Sequence, residues 1–81
     1  MFLKVKIHRG LIRTNNIRKP EEAFKVIEFD GHDLSDLMKT LNLNEESVGL
    51  VVKNGRMINK VEKARVKPND KIEFYPHLIG G

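Results

Sequence analysis

One stretch of the chain has the periodicity of a surface helix, and it limits the folds open to the rest. Leu34, Leu37, Met38 and Leu41 recur at spacings of three and four residues, so they share one face of an amphipathic helix. Asp33 precedes them as a candidate N-cap. Because 81 residues form one small core with two layers, the sequence predicts this helix on one face of a mixed sheet.

The remaining apolar segments have the patterns of strands. Residues 2–8 alternate between apolar and polar side chains, as a half-buried strand does. Asn54 and Gly55 are a strong signal for a two-residue hairpin turn, since both central positions of a type I′ turn need positive φ. Pro76 has no N–H to donate, so the last strand is expected to end before it. The predicted strands are residues 2–8, 24–30, 48–53, 56–59 and 71–75.

The composition excludes several classes of site. The chain has no cysteine, which excludes disulfides, thiolate metal sites and a cysteine nucleophile. Ser35 and Ser47 are its serines, and His8, His32 and His77 lack the spacing of metal ligands. We therefore expect neither an enzyme, nor a metal site, nor a bound cofactor.

The net charge of +4 is concentrated in residues 4–19 and 53–71. No aromatic residue interrupts the second run, which disfavours stacking of single-stranded bases and nucleic acid as a partner. The N-terminus lacks the apolar run of a signal peptide and no segment approaches a transmembrane length, so we expect a cytoplasmic protein without a membrane partner. Residues 9–23 lose the strand pattern and are predicted to form a long, basic and poorly ordered connection, whose role the sequence does not indicate.

The chain ends in two glycines, within the sequence YPHLIGG at residues 75–81. We assign residues 1–75 to a folded domain and residues 76–81 to a flexible tail. Glycine lacks a Cβ, so this backbone can pass a narrow channel and its terminal carboxylate stays unhindered.

The order of elements and several short motifs resemble ubiquitin-like β-grasp proteins, and among them the MoaD/ThiS sulfur carriers. Residues 30–38 (DGHDLSDLM) resemble the family's glycine, cap and leucine-rich helix start. Residues 51–56 (VVKNGR) resemble its hairpin, and residues 67–74 (KPNDKIEF) its last turn and strand, with Asn69 where glycine is usual. The resemblance implies an α+β fold with a mixed sheet of four or five strands, one main helix on one face and a flexible diglycine tail.

The ending is most similar to that of the molybdopterin synthase small subunit, with His77 in place of a second proline. In that family an ATP-dependent adenylyltransferase of the ubiquitin-activating type adenylates the terminal carboxylate, which becomes a thiocarboxylate and donates sulfur. The resemblance implies that Gly81 is the reactive terminus of a carrier, which is not itself an enzyme, and that Gly80 gives clearance. It also implies that partner enzymes contact Tyr75, Pro76, His77, Leu78 and Ile79.

The sulfur acceptor and the wider class of function stay open. The ending favours molybdopterin or tungstopterin synthesis, where the acceptor is the synthase large subunit, over thiamin-thiazole synthesis with a thiazole synthase. A ubiquitin-like protein modifier would use the same terminus, and the sequence does not separate it from a carrier. An RNA-binding β-grasp or S4-like module and a plain interaction domain that pairs through its sheet edge are the other classes. Lys53, Arg56 and Lys71 are candidates for the rim of a docking surface beside the tail.

Overall fold

The structure is a computed structural model that describes residues 1–8, 11 and 24–77, with the backbone alone at Glu62. Two layers are present in these residues, a sheet and a helix that covers one of its faces. The elements are β1 (Phe2–Ile7), β2 (Lys25–Glu28), α1 (Leu34–Thr40), β3 (Val48–Lys53), β4 (Arg56–Ile58), a 3₁₀ turn (Val61–Lys63) and β5 (Lys71–Pro76).

The five strands form one mixed sheet in the order β2-β1-β5-β3-β4. The first and last strands, β1 and β5, pair in parallel, and the other three pairings are antiparallel. This confirms the predicted mixed sheet with one main helix. It also places β5, the strand that leads to the C-terminus, in the middle of the sheet, where both of its edges are paired.

The core lies between this sheet and α1. On β5, Ile72 and Phe74 are fully buried, opposite Val5 and Val51 of the neighbouring strands. Leu11, which belongs to the predicted basic connection, is also fully buried. The rest of that connection lies outside the described residues. The described core residues are Leu3, Val5, Leu11, Phe29, Leu34, Leu37, Met38, Leu43, Val51, Val66, Ile72 and Phe74.

Helix α1 is capped at both ends. The carboxylate of Asp33 accepts a hydrogen bond from the Asp36 N–H (2.8 Å), which confirms the predicted N-cap. At the other end Asn42 has a φ of 60°, and its N–H donates to the Lys39 carbonyl. The N–H of Leu43 donates to the Met38 carbonyl, which completes a Schellman motif. Leu43 and Met38 are both buried, so this turn fixes where the chain leaves the helix.

The predicted hairpin is present, because Asn54 and Gly55 have φ values of 52° and 83°. The Asn54 side chain also donates to the buried Asp70 carboxylate (2.8 Å) and accepts from the Lys71 N–H (2.9 Å). Asn69, which occupies the position where glycine is usual in the carriers that the sequence resembles, has a φ of 69°. Asparagine tolerates this left-handed conformation better than other non-glycine residues, so the turn before β5 keeps its shape.

Three strands are shorter than predicted, and β1 ends at Ile7. Strand β2 ends at Glu28, and Phe29 continues as a buried residue whose N–H donates to the Met1 carbonyl (2.8 Å). Strand β4 ends at Ile58. Ile27 and Phe29 nevertheless face the core as predicted.

Candidate functional site

The candidate site is the end of β5, where the chain leaves the sheet. Pro76 is the last residue of the strand and is in register with Val48, so the strand is one residue longer than predicted. Proline lacks a backbone N–H, but its carbonyl can still accept a hydrogen bond from a neighbouring strand. The β3–β5 ladder is irregular at this point, because its register shifts between Val48 and Leu50, and an irregular ladder tolerates the missing donor.

His77 has a defined position against the domain. Its Nε2 lies 2.8 Å from the carbonyl oxygen of Glu46, in the turn that precedes β3. A carbonyl only accepts, so Nε2 carries the proton in this contact. Pro76 and His77, which the sequence assigned to the tail, thus contact β3 and the turn before it, and the domain boundary at residue 75 remains a prediction. Leu78, Ile79, Gly80 and Gly81 lie outside the described residues, and their roles remain predictions.

Gly49 allows β5 to approach β3 at this end. A Cβ added at Gly49 would lie 2.5 Å from the His77 Cα and 2.7 Å from the His77 nitrogen, and both are backbone atoms. The sequence reasoning missed this contact. A single glycine inside a run of β-branched strand residues was the available signal, since glycine in a strand marks a bulge or a close backbone approach.

Tyr75 is held on the sheet face that α1 does not cover. Its hydroxyl donates to Oε1 of Glu73 (2.6 Å), and its ring lies 5.8 Å from that of His8. The hydrogen bond to Glu73 raises the pKa of Tyr75 above its ordinary value, and partial burial and the negative charge of Glu73 act in the same direction. Tyr75 therefore presents a neutral phenol beside the exit of the chain.

Apolar side chains surround Tyr75 on this face. Leu50 is in register with Tyr75, and Val52 is in register with both Glu73 and Met57. Residues in register share a face of the sheet. Leu50 and Val52 are half-buried and Met57 is 69% exposed, so this surface combines an apolar centre with polar neighbours.

The three basic residues expected beside the tail lie elsewhere. Lys53 is in register with the buried Ile72 and with Arg56, which places both basic residues on the helix side of the sheet, at its margin. The Lys53 ammonium donates to the Arg65 carbonyl (3.0 Å). Lys71 begins β5, about 17 Å from the strand's other end at roughly 3.4 Å per residue. The expectation of a basic rim beside the tail is wrong for Lys53 and Arg56, because it depended on strand register, whereas Lys71 shares the sheet face of Tyr75 at the other end of β5.

Searches with family models and against curated proteins found no match to this sequence. Among solved structures, the crystal structure of SAMP1 from Haloferax volcanii matches with a TM-score of 0.65, at 14% identity, over 100% of both chains. SAMP1 is a ubiquitin-like small archaeal modifier protein. The fold is the ubiquitin-like β-grasp. At this identity the match establishes the β-grasp fold, while the finer resemblance to MoaD/ThiS carriers stays a prediction.

Within the described ranges, a cleft of about 220 Å³ opens beside Gly49, below the roughly 300–1,000 Å³ of ligand pockets. The same ranges contain no cluster of three or more His, Asp or Glu side chains able to hold a metal ion. No helix in them is long and apolar enough to cross a membrane.

Proposed function

We propose that the protein is a ubiquitin-like carrier whose C-terminal Gly81 is activated by a partner enzyme and then carries sulfur. One observation carries this proposal: the central strand of a β-grasp domain leads directly to the diglycine terminus, and its end is held at a defined point by Gly49 and His77. The domain would present the terminus, and the partners would supply the chemistry.

The chemistry requires activation because a carboxylate is a poor acyl electrophile. An adenylyltransferase of the ubiquitin-activating type would join the Gly81 carboxylate to the α-phosphate of ATP, releasing pyrophosphate. A sulfur nucleophile at the oxidation level of sulfide would then attack the acyl carbon, displace AMP and leave a thiocarboxylate. Gly80 keeps the backbone narrow at the acyl carbon. Four residues follow His77, so an extended terminus reaches about 14 Å from the domain at most.

The surface around Tyr75 is the candidate contact for the activating enzyme. Leu50, Val52 and Met57 supply apolar area next to the exit of the chain, and Tyr75 adds an aromatic ring. Interfaces are enriched in aromatic residues and methionine at their centres. A neutral Tyr75 phenol, bonded to Glu73, suits such a centre better than a charged group would.

The acceptor of the sulfur is proposed from the resemblance of the ending. Residues 74–81 favour the large subunit of a molybdopterin synthase, with a thiazole synthase as the alternative. A protein modifier is the second candidate function, and the similarity to SAMP1 favours it. In that case lysine amines of other proteins, and not a sulfur donor, would attack the activated Gly81.

The experiment is mass spectrometry of the C-terminal peptide, using protein purified from cells that express it naturally. A carrier shows the mass increase of sulfur replacing oxygen at Gly81, whereas a modifier leaves its C-terminal tryptic peptide, residues 72–81, attached to lysines of other proteins. A chain lacking Gly80 and Gly81 is the control and should show neither. If the wild type also shows neither, the proposal is wrong. Salt-sensitive RNA binding that survives this deletion would favour the RNA-binding alternative.

A further inference from the structure

A second cluster of exposed side chains lies on the helix-free face, at the β1–β2 side of the sheet. Register pairs Lys4 with both Val26 and Lys71, so these three side chains share that face. Phe2, two residues from Lys4 on the same strand, faces the same way and is 58% exposed. We call the cluster the lysine–phenylalanine patch, and it consists of Phe2, Lys4, Lys6, Phe24, Val26 and Lys71.

The ammonium groups of this patch gather around one aromatic ring. Lys6 Nζ lies 6.0 Å and Lys71 Nζ 5.8 Å from the centroid of the Phe24 ring. The nearest acid in register with Lys6 is Glu73, but Glu73 Oε1 accepts a hydrogen bond from the Tyr75 hydroxyl. Within the described ranges no carboxylate forms an ion pair with Lys6 or Lys71. The patch therefore carries three lysines against two carboxylates of the same face, Glu28 and Glu73, and its net charge is positive.

The same patch exposes apolar area that no element of the described residues covers. Val26, on the edge strand β2, is 60% exposed, and Phe24, directly before this strand, is 41% exposed. Exposed apolar side chains that adjoin one another, with charges around them, are typical of interaction sites. A binding partner that is complementary to this patch has an apolar side chain at its centre and negative charges around it.

We propose that the lysine–phenylalanine patch binds an acidic segment of another protein, which places an apolar side chain between carboxylates. This inference does not depend on the activation of Gly81. The carboxylates would pair with Lys4, Lys6 and Lys71, and the apolar side chain would cover Val26 and Phe24. The patch lies on the same helix-free face as the Leu50–Tyr75 surface, toward β1 and β2, and the two surfaces adjoin where Lys6 is in register with Glu73.

Charge and shape argue against the other occupants. A second copy on a two-fold axis would set lysines against lysines. The chain's own residues 9–23 contain four basic and two acidic side chains, so they share the sign of the patch. A flat sheet face cannot insert an apolar edge into a bilayer as an amphipathic helix does. Nucleic acid would use the lysines and stack on Phe24, but it would leave Val26 without a role.

The experiment is an NMR titration of the full-length ¹⁵N-labelled protein with defined probes. The main probe is a synthetic peptide with a Leu-Phe pair flanked on both sides by Glu and Asp. Its controls are the same peptide with Ala-Ala in place of Leu-Phe and the same peptide with lysines in place of the acids. An oligouridine and vesicles of phosphatidylserine and phosphatidylcholine are the alternative probes. We expect the main probe to shift the amides of β1, β2 and the start of β5, and the two control peptides to bind at least tenfold more weakly.

Charge reversal tests the assignment to this patch. The Lys6→Glu/Lys71→Glu variant should weaken binding of the main probe at least tenfold. The Lys39→Glu/Lys60→Glu variant, with the same charge change at exposed positions elsewhere, should stay within twofold of wild type. A third variant, Val26→Ser, keeps every charge and should weaken binding several-fold. The proposal is overturned if the main probe does not bind, if the Ala-Ala peptide binds equally well, if the oligouridine or vesicles bind in its place, or if both charge variants lose affinity equally.

Discussion

Replacement of Gly49 by alanine tests whether close backbone packing holds the end of β5. The new Cβ would lie 2.5 Å from the His77 Cα, whereas ordinary contacts begin near 3.4 Å. Because the obstacle is backbone, β3 and β5 must separate by about 1 Å at this end. Overpacking of this kind costs about 1–3 kcal/mol. The lower entropy of an unfolded chain with alanine offsets about 0.4–1 kcal/mol of that cost. We expect a net loss of about 1–2 kcal/mol in the free energy of unfolding.

The loss of free energy can be measured by urea denaturation followed by circular dichroism. In thermal denaturation of a domain of this size, a loss of 1–2 kcal/mol corresponds to a drop in Tm of about 4–16 °C. Ser47→Ala is the matched control, because it leaves the Ser47 N–H bonded to the Asn44 carbonyl in the same turn. NMR of the His77 ring should show a change in the Gly49→Ala variant alone. The reasoning is refuted if this variant is as stable as wild type and its His77 signals are unchanged.

Three further predictions concern polar contacts that the structure defines. Asp70→Ala should lower the free energy of unfolding by about 1–3 kcal/mol, because it strands the Asn54 amide and the Lys67 N–H, while the exposed Asp30→Ala should cost little by the same urea assay. Tyr75 is the chain's one tyrosine, so absorbance titration reports it directly: its pKa should lie above 10.0 and fall in Glu73→Gln, and an unchanged pKa would contradict the hydrogen bond. The hydrogen bond from the His32 N–H holds the pKa of Asp36 below 3.8. The ionised Asp36 carboxylate therefore stabilises the fold above pH 3.8, and this stabilisation is lost as the pH falls through the lowered pKa. Acid unfolding should therefore be less steep in Asp36→Asn than in wild type.

Local signals predicted the local parts of this fold. The stripe of Leu34, Leu37 and Met38 identified α1, because helical periodicity depends on neighbours in sequence. Asn54 and Gly55 identified the hairpin for the same reason, since the turn's φ values are set by these two residues.

Features that depend on long-range pairing could not be predicted in this way. Lys53 and Arg56 face the margin of the core because Lys53 is in register with both Ile72 and Arg56, and a shift of one residue would have reversed this. The role of Gly49 depends on the position of His77 in space, about which the glycine's own neighbours say nothing. Leu11 joins the core from a segment without any periodic pattern, so no sequence signal distinguished it.

The proposed activation of the Gly81 carboxylate by a partner enzyme can be measured on its own by ATP–pyrophosphate exchange. The assay combines the protein with a purified adenylyltransferase of the ubiquitin-activating type. We expect the wild-type chain to stimulate exchange and a chain lacking Gly80 and Gly81 not to do so. Exchange that is equal with both chains, or absent with the wild type, would contradict the proposed activation.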